Sequence, residues 1–322
     1  MPKRRSKHSR AAGAASGQPP GTPSAKKAAR RSLWPAIRPT VWPTISAKYR
    51  AWAAYGLAAL VSLLFCLPLY WAFIASLRPV GLAPATTIEW WPTSPSWENY
   101  RQIFEIVPLA RYALNSLIVV GVAVPVTLLM ASLAGFGLSQ IDREQTRNTL
   151  ISFNVITLMI PASAVWIFRF QILSWLGQID SLGALILPAF AASTPLFVLL
   201  FYWSFRHIPE EMFEAARLDG AGPWMLWRSM AMPLARPTTT GVTVLTFWLY
   251  WSDFISPVLY IYDPQKYTLA IGVQIIKQMN VTNIPLLMAG ATLMAAPIVV
   301  LFLFLQRFFL HELSLANLFE RN

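Results

Sequence analysis

Glu214-Ala215-Ala216-Arg217-Leu218-Asp219-Gly220-Ala221 is the one well-patterned polar segment long enough to fold between the apolar blocks of this 322-residue chain. Glu214 and Asp219 offer charge to a partner's cationic groups, and Ala215 and Ala216 are small enough for close backbone approach. That chemistry is recognition. Upstream, Pro209 suits a first helical turn because it has no N–H to lose there, and Glu210 and Glu211 follow where the helix dipole favours negative charge. Gly220 is expected to close this helix in the left-handed conformation. Gly222-Pro223 then opens a second short helix, expected through Trp224 to Ala231 and stopped by Pro233. The segment predicts helix, tight turn, helix: a docking device.

A second candidate is Asp253, the only carboxylate within an apolar run, beside Trp248, Tyr250 and Trp251. An ionised group in hydrocarbon costs about 2.5–3.5 kcal/mol on insertion scales, so it must face protein or water. Two readings stay open. Asp253 accepts hydrogen bonds from a hydroxylated solute, with Trp248, Tyr250 and Trp251 as flat apolar faces of a pathway, or it sits near the end of its helix and fixes packing.

Catalysis finds no support. There is no GxxxxGK[ST] phosphate loop, His311-Glu312 lacks the second histidine of a zinc-protease helix, and no GxSxG elbow occurs. The chain is therefore expected to be no enzyme and to bind no cofactor or metal. The three histidines suit ordinary surface positions. Cys66, the one cysteine, permits no intrachain disulfide, and packing is its expected role.

The elements that must position these residues are membrane helices. With 56% hydrophobic and 12% charged residues and a mean hydropathy of +0.48, the bilayer is the expected solvent. Apolar runs near 52–74, 113–136, 150–168, 182–205 and 286–306 each approach the ~20 residues of a membrane helix, and a sixth at 240–262 is interrupted only by Asp253. Six spans, a polar loop at 206–237 and a transmembrane domain over 51–322 follow. Pro68, Pro125, Pro161, Pro188, Pro195 and Pro297 predict bent helices.

Residues 1–50 hold 12 Lys and Arg and no acid, with too little apolar content to offset the entropy of folding. This basic tail predicts disorder and attraction to anionic membrane lipid. Before Trp34 it lacks the aromatic interleaving of a nucleic-acid binder, and no recognisable domain positions its charges. With both termini inside, 20 of the 26 Lys and Arg are cytoplasmic, which sets the orientation and puts the Glu214 segment in the cytoplasm.

The spacing Glu214-Ala215-Ala216, Gly220, Met232-Pro233 resembles the cytoplasmic EAA loop of binding-protein-dependent ABC importers, with Met232 where leucine is usual. Ser76-Leu77-Arg78-Pro79, Trp97-Glu98-Asn99-Tyr100, Asn115-Ser116-Leu117, Trp251-Ser252-Asp253-Phe254 and Tyr267-Thr268-Leu269-Ala270 are similar to landmarks of the second permease subunit of maltose-type carbohydrate importers. The similarity runs from about Trp52 to Arg307 and implies the all-α, six-span type I permease architecture of a prokaryotic inner or plasma membrane. It implies that Glu214, Ala215, Ala216, Asp219, Gly220 and Ala221 couple to an ATPase dimer that hydrolyses ATP with Mg. A second homologous permease and an extracytoplasmic sugar-binding protein complete the implied assembly, with a sugar or oligosaccharide as cargo. A permease for a non-sugar solute is the alternative. An ATP-independent secondary transporter fits less well, since such proteins usually bury several ionisable groups near the midplane.

Overall fold

The computed structural model describes residues 47–82, 89–191, 194–279 and 282–319, so nearly all of the basic tail expected at 1–50 lies outside the described residues. The chain divides into two units, residues 1–60 and 61–322. The described part of the first is the opening of helix α1 (Ala47–Ser76). All other elements belong to the second. In chain order they are α2 (Glu98–Ile106), α3 (Leu109–Ser139), α4 (Glu144–Leu158), α5 (Ala162–Trp175), α6 (Leu182–Ile186) and a 3-10 turn at Leu187–Ala191. There follow α7 (Pro195–Arg206), α8 (Glu210–Leu218), α9 (Pro223–Met225), a π-helical turn at Leu226–Ala231 and α10 (Met232–Leu234). The last are α11 (Arg236–Trp251), α12 (Ile255–Tyr260), a 3-10 turn at Pro264–Lys266, α13 (Leu269–Met279) and α14 (Ile284–Phe319).

The second unit is built around α3. Its 31 residues span ~45 Å at 1.5 Å per residue, more than the ~30 Å hydrocarbon core. α7, α11 and α13 pack on it, and α14 closes over α11, α13 and α2. The α3–α7 contact is close because residue 135 is glycine. A Cβ there would meet Phe201 Cβ at 2.7 Å, with the Tyr202 nitrogen and the Val198 oxygen each at 2.9 Å.

Two expected spans differ from the structure. The run at 150–168 is not one helix: α4 ends at Leu158, α5 starts at Ala162, and their axes differ by 96°. Pro161 precedes α5 in extended conformation (φ −64°, ψ 135°), and this extended backbone, unlike that of Pro68, Pro125 and Pro297 inside α1, α3 and α14, interrupts the helical path. The run at 240–262 breaks at Ser252-Asp253-Phe254 between α11 and α12. Among the described residues four helices are long and apolar enough to cross a membrane, or five if the bent α4–α5 pair is one span. α1, α4 and α5 leave large apolar side chains such as Phe65, Phe153, Ile167 and Trp175 exposed, faces suited to lipid or another chain. Cys66 lies on this exposed surface of α1 and not in the core of this chain.

Four of the five sequence landmarks, all but Trp251-Ser252-Asp253-Phe254, supply polar clips around α2 and the N-terminal end of α3. Asn99 is fully buried and its Nδ2 donates to the carbonyls of Ser76 (2.9 Å) and Arg78 (2.6 Å), tying α2 to the end of α1. The Ser76 and Tyr100 hydroxyls meet at 2.7 Å. Asn115 Nδ2 donates to the carbonyls of Gln265 and Tyr267, both at 2.9 Å, and the Leu269 N–H donates to Ser116 Oγ at 2.9 Å. Asn115→Ala leaves two carbonyls without their donor, at a cost of about 1–3 kcal/mol. The expected outcome is a lower thermal unfolding midpoint in detergent, with Leu114→Ala on the exposed side of the same turn nearly unchanged; equal midpoints for the two would show that the clip does not stabilise the fold.

Candidate functional site

At the C-terminal end of α3 lies the Glu214 segment. α8 carries Glu210 and Glu211 in its first turn, with Pro209 just ahead of it. One of its faces is buried through Phe213, at 4% exposure. The Phe213 ring lies 6.1 Å from that of Phe136 on α3, and Phe136 stands edge-on to Phe205 of α7 at 5.8 Å. Phe205 in turn stacks on Phe201 at 5.7 Å. This aromatic chain joins α8 to both α3 and α7, so a displacement of α8 cannot leave those helices unmoved. Arg217 adds a polar tie, donating from Nη2 to Gln140 Oε1 just past α3.

The end of α8 follows from Gly220. Its φ of +86° is readily adopted only by glycine. The Gly220 N–H donates to the Arg217 carbonyl (3.0 Å) and the Ala221 N–H to the Ala216 carbonyl (2.9 Å), the pair of bonds that satisfies the last carbonyls of a helix closed in this way. The chain then reverses into α9, with Gly222 extended ahead of Pro223. Beyond it the expected stop at Pro233 does not occur. The π-helical turn at Leu226–Ala231 ends with the Met232 N–H on the Trp227 carbonyl, and the helical path continues through Pro233 to Leu234. A widened turn just before a proline accommodates its ring and missing donor without ending the helix.

Glu214, Ala215, Asp219 and Gly220 are exposed, while Ala216 and Ala221 are half-buried against the core that contains Phe213, Leu226 and Trp227. Leu218, 90% exposed, and Trp224, 57% exposed, add apolar surface to the acidic positions Glu211, Glu214 and Asp219. The result is a compact acidic and apolar face on a helix whose other side is anchored in the bundle.

The structure does not gather the expected pathway residues into one surface. Trp251 is a core residue, 2% exposed. Its Nε1 donates to the Met294 carbonyl of α14 at 2.8 Å, and its ring stacks on Phe247 at 5.5 Å. Trp248 is exposed, and Tyr250 is half-buried against two cores. Asp253 is half-exposed in the α11–α12 break, where its Oδ1 accepts the Ser256 N–H at 3.1 Å. It starts α12 as a side-chain acceptor for an otherwise unpaired N–H.

A residue that sequence reasoning passed over organises the far end of the unit. Asp180 has a positive φ of 59°. Its Oδ1 accepts the N–H groups of Tyr262 and Asp263, both at 2.9 Å. Lys266 Nζ reaches its Oδ2 at 3.2 Å and its carbonyl at 2.8 Å. The backbone N–H of Asp263, then that of Tyr262, then Lys266 hold the Asp180 carboxyl below its usual range, and the hydrogen bond to Asp180 raises Lys266. A lowered carboxyl pKa contributes stability above the ordinary carboxylate range and loses it as pH falls through the folded value. A raised lysine pKa contributes below its ordinary value and loses it as pH rises through the folded one. Both contributions are therefore flat from about pH 5 to 9. Hydrogen-exchange protection of the Tyr262 and Asp263 amides, corrected for intrinsic exchange, should stay constant across that window and fall on stronger acidification or at strongly alkaline pH. A midpoint near neutrality would contradict the clamp.

Comparison with known proteins places this geometry. The chain is 28% identical to the melibiose/raffinose/stachyose import permease protein MelC of Bacillus subtilis over 260 residues, 80% of this chain and 93% of that protein. It is 30% identical to the sn-glycerol-3-phosphate transport system permease protein UgpE of Pectobacterium atrosepticum over 257 residues, 76% and 89% of the two chains. In structure it matches, with a TM-score of 0.67 at 18% identity, a chain from the crystal structure of a bacterial ABC transporter involved in the import of the acidic polysaccharide alginate, covering 83% of this chain and 99% of that one. The fold is thus that of an ABC importer's permease. Residues 40–314 match the family described as the binding-protein-dependent transport system inner membrane component, and the chain belongs to that family.

Proposed function

We propose that this chain is one of two permease subunits of an importer for a sugar or oligosaccharide, crosses the membrane six times with both termini cytoplasmic, and is driven by an ATPase dimer that seats on α8. In this reading the bent α4–α5 pair is one pass and α11 with α12 another. An extracytoplasmic binding protein delivers the solute. The observation that carries the proposal is the construction of α8, acidic and apolar outside and locked through Phe213 to α3 and α7 inside. Glu214, Ala215, Ala216, Asp219, Gly220 and Ala221 form the surface and turn that the ATPase engages. ATP and Mg are handled by that partner and not by this chain. MelC supports an oligosaccharide cargo, whereas UgpE keeps a polar phosphorylated solute as the second reading. Asp253, Trp248 and Tyr250 are assigned to the wall of the pathway near the α11–α12 break, with Trp251 holding that wall against α14.

The test is reconstitution of the chain with its companion permease, ATPase and binding protein in proteoliposomes. ATP-dependent uptake of labelled raffinose is the expected result. Uptake that proceeds without the ATPase would refute the importer reading, and uptake of sn-glycerol 3-phosphate alone would transfer it to the second cargo.

A further inference from the structure

A cavity of about 230 Å³ lies where the turn after α3, the start of α4, the end of α7 and the inner side of α8 meet. Three arginines line it, each from a different helix: Arg147 of α4, Arg206 of α7 and Arg217 of α8. Arg147 donates to the Ile141 carbonyl at 3.2 Å and Arg217 to the Gln140 side-chain oxygen, both neutral acceptors. Ion pairs within 4.0 Å among the described residues involve Arg78, Arg101 and Lys266, and none lies at this cavity. Asp142 and Glu210 also border it, but both are exposed and neither reaches a guanidinium within that distance. Arg206 and Arg217 are exposed as well and Arg147 is half-buried, so three cations border the space with two carboxylates and keep guanidinium donors to spare. Its volume is several times the about 30 Å³ share of one water, room for a charged group together with an organic moiety.

We propose that this cavity binds a phosphate-bearing anion, either a soluble phosphate ester or a phospholipid headgroup. Guanidinium forks match phosphate oxygens in pairs of charge-assisted hydrogen bonds. An anion held by Arg147, Arg206 and Arg217 together ties α8 to α4 and α7 and so restrains the helix that the ATPase is to move. Occupancy slows the importer. The binding part of this inference stands apart from the coupling reading, and the slowing rests on it.

The experiment begins with the purified full chain and glucose 6-phosphate as soluble probe, glucose being the control, read by calorimetric titration. In parallel, the chain in nanodiscs of phosphatidylcholine, with or without phosphatidylglycerol, is extracted and retained lipid read by native mass spectrometry. Saturable binding of glucose 6-phosphate identifies the soluble source, and selective retention of phosphatidylglycerol the lipid source. Either is expected to weaken about tenfold in Arg147→Gln and in Arg206→Gln, and less in Arg206→Lys, which keeps the charge but loses the fork. To remain independent of variant folding, phenylglyoxal modification of Arg147 and Arg206 in the unaltered chain should be suppressed by whichever probe binds. Binding of neither probe, binding unaffected by both glutamine variants, or arginines left unprotected by a bound probe overturns the site. In the assembled importer, probe at a concentration that just saturates the unaltered site should lower binding-protein-stimulated ATPase activity about fivefold, a typical coupling between sites, and should lower that of Arg206→Gln less. An assembly with no ATPase stimulation even without probe refutes the α8 reading and leaves the binding result standing.

Discussion

Gly220→Pro should abolish solute uptake in the assembled importer while leaving the chain in the membrane. The residue sits at φ +86°, and proline is confined to about −65°. Its N–H, which donates to the Arg217 carbonyl at 3.0 Å, is also lost. The adjacent bond from Ala221 to Ala216 depends on the same reversal, so both bonds that end α8 go together. A backbone conflict of this kind costs roughly 3 kcal/mol or more. Nothing lies within 4 Å of a Cβ placed at this position, so Gly220→Ala meets no steric obstacle and bears only the ~1–2 kcal/mol of a left-handed L-residue. The order wild type, alanine, proline in uptake therefore measures the turn itself and not crowding around it. Membrane abundance and pairing with the companion permease should stay normal, because α8 lies at the end of the bundle and Gly220 is exposed. Proline-variant complexes with normal uptake and normal binding-protein-stimulated ATPase activity would remove α8 from the coupling path.

Much of this turn was legible in the residues. A glycine after a short amphipathic helix with acids in its first turn carries its own conformational signal. The long helices were legible for the same local reason: the runs behind α3 and α14 contain few charges and nothing that competes with a helix in hydrocarbon. What hydropathy could not show is where an apolar run changes direction. Leu158-Met159-Ile160-Pro161 is as oily as a helix interior, yet the chain turns by 96° there, because the backbone at Pro161 is extended, whereas Pro68, Pro125 and Pro297 lie within helices, and hydropathy does not distinguish the two settings. Asp253 is the converse case. It stood out as a charge within a span and proves to occupy a break in the helix, where a carboxylate has an N–H to accept. Asn99 and Asn115 could be singled out but not explained, since their partners lie 21 to 152 residues away. Asp180 gave no signal because an acid in a polar turn is common, and its value comes from two N–H groups that the fold alone delivers.

The largest effect on the fold itself is expected at Gly135. A Cβ at this position would stand 2.7 Å from the Phe201 Cβ and 2.9 Å from both the Tyr202 nitrogen and the Val198 oxygen. Two of those three atoms are backbone and the third is bound directly to it, so no rotamer change relieves the contact. α3 must separate from α7. Even alanine overpacks this contact at about 1–3 kcal/mol, and leucine should exceed that range. The consequence reaches further than stability. Phe136 follows directly in the chain and touches both Phe205 and Phe213, so separating α3 from α7 opens the aromatic link through which α8 acts. Gly137, two residues on, provides the comparison: it lies in the same helix, and nothing is within 4 Å of its added Cβ. There alanine should be neutral or stabilising, by up to about 1 kcal/mol of helix propensity. The expected pattern is a lowered unfolding midpoint and lost uptake for Gly135→Leu, an intermediate result for Gly135→Ala, and wild-type behaviour for Gly137→Ala. Equal midpoints and uptake for the two alanine variants would mean that α3 and α7 are not held at the separation seen here, and that the route from α8 into the bundle runs elsewhere.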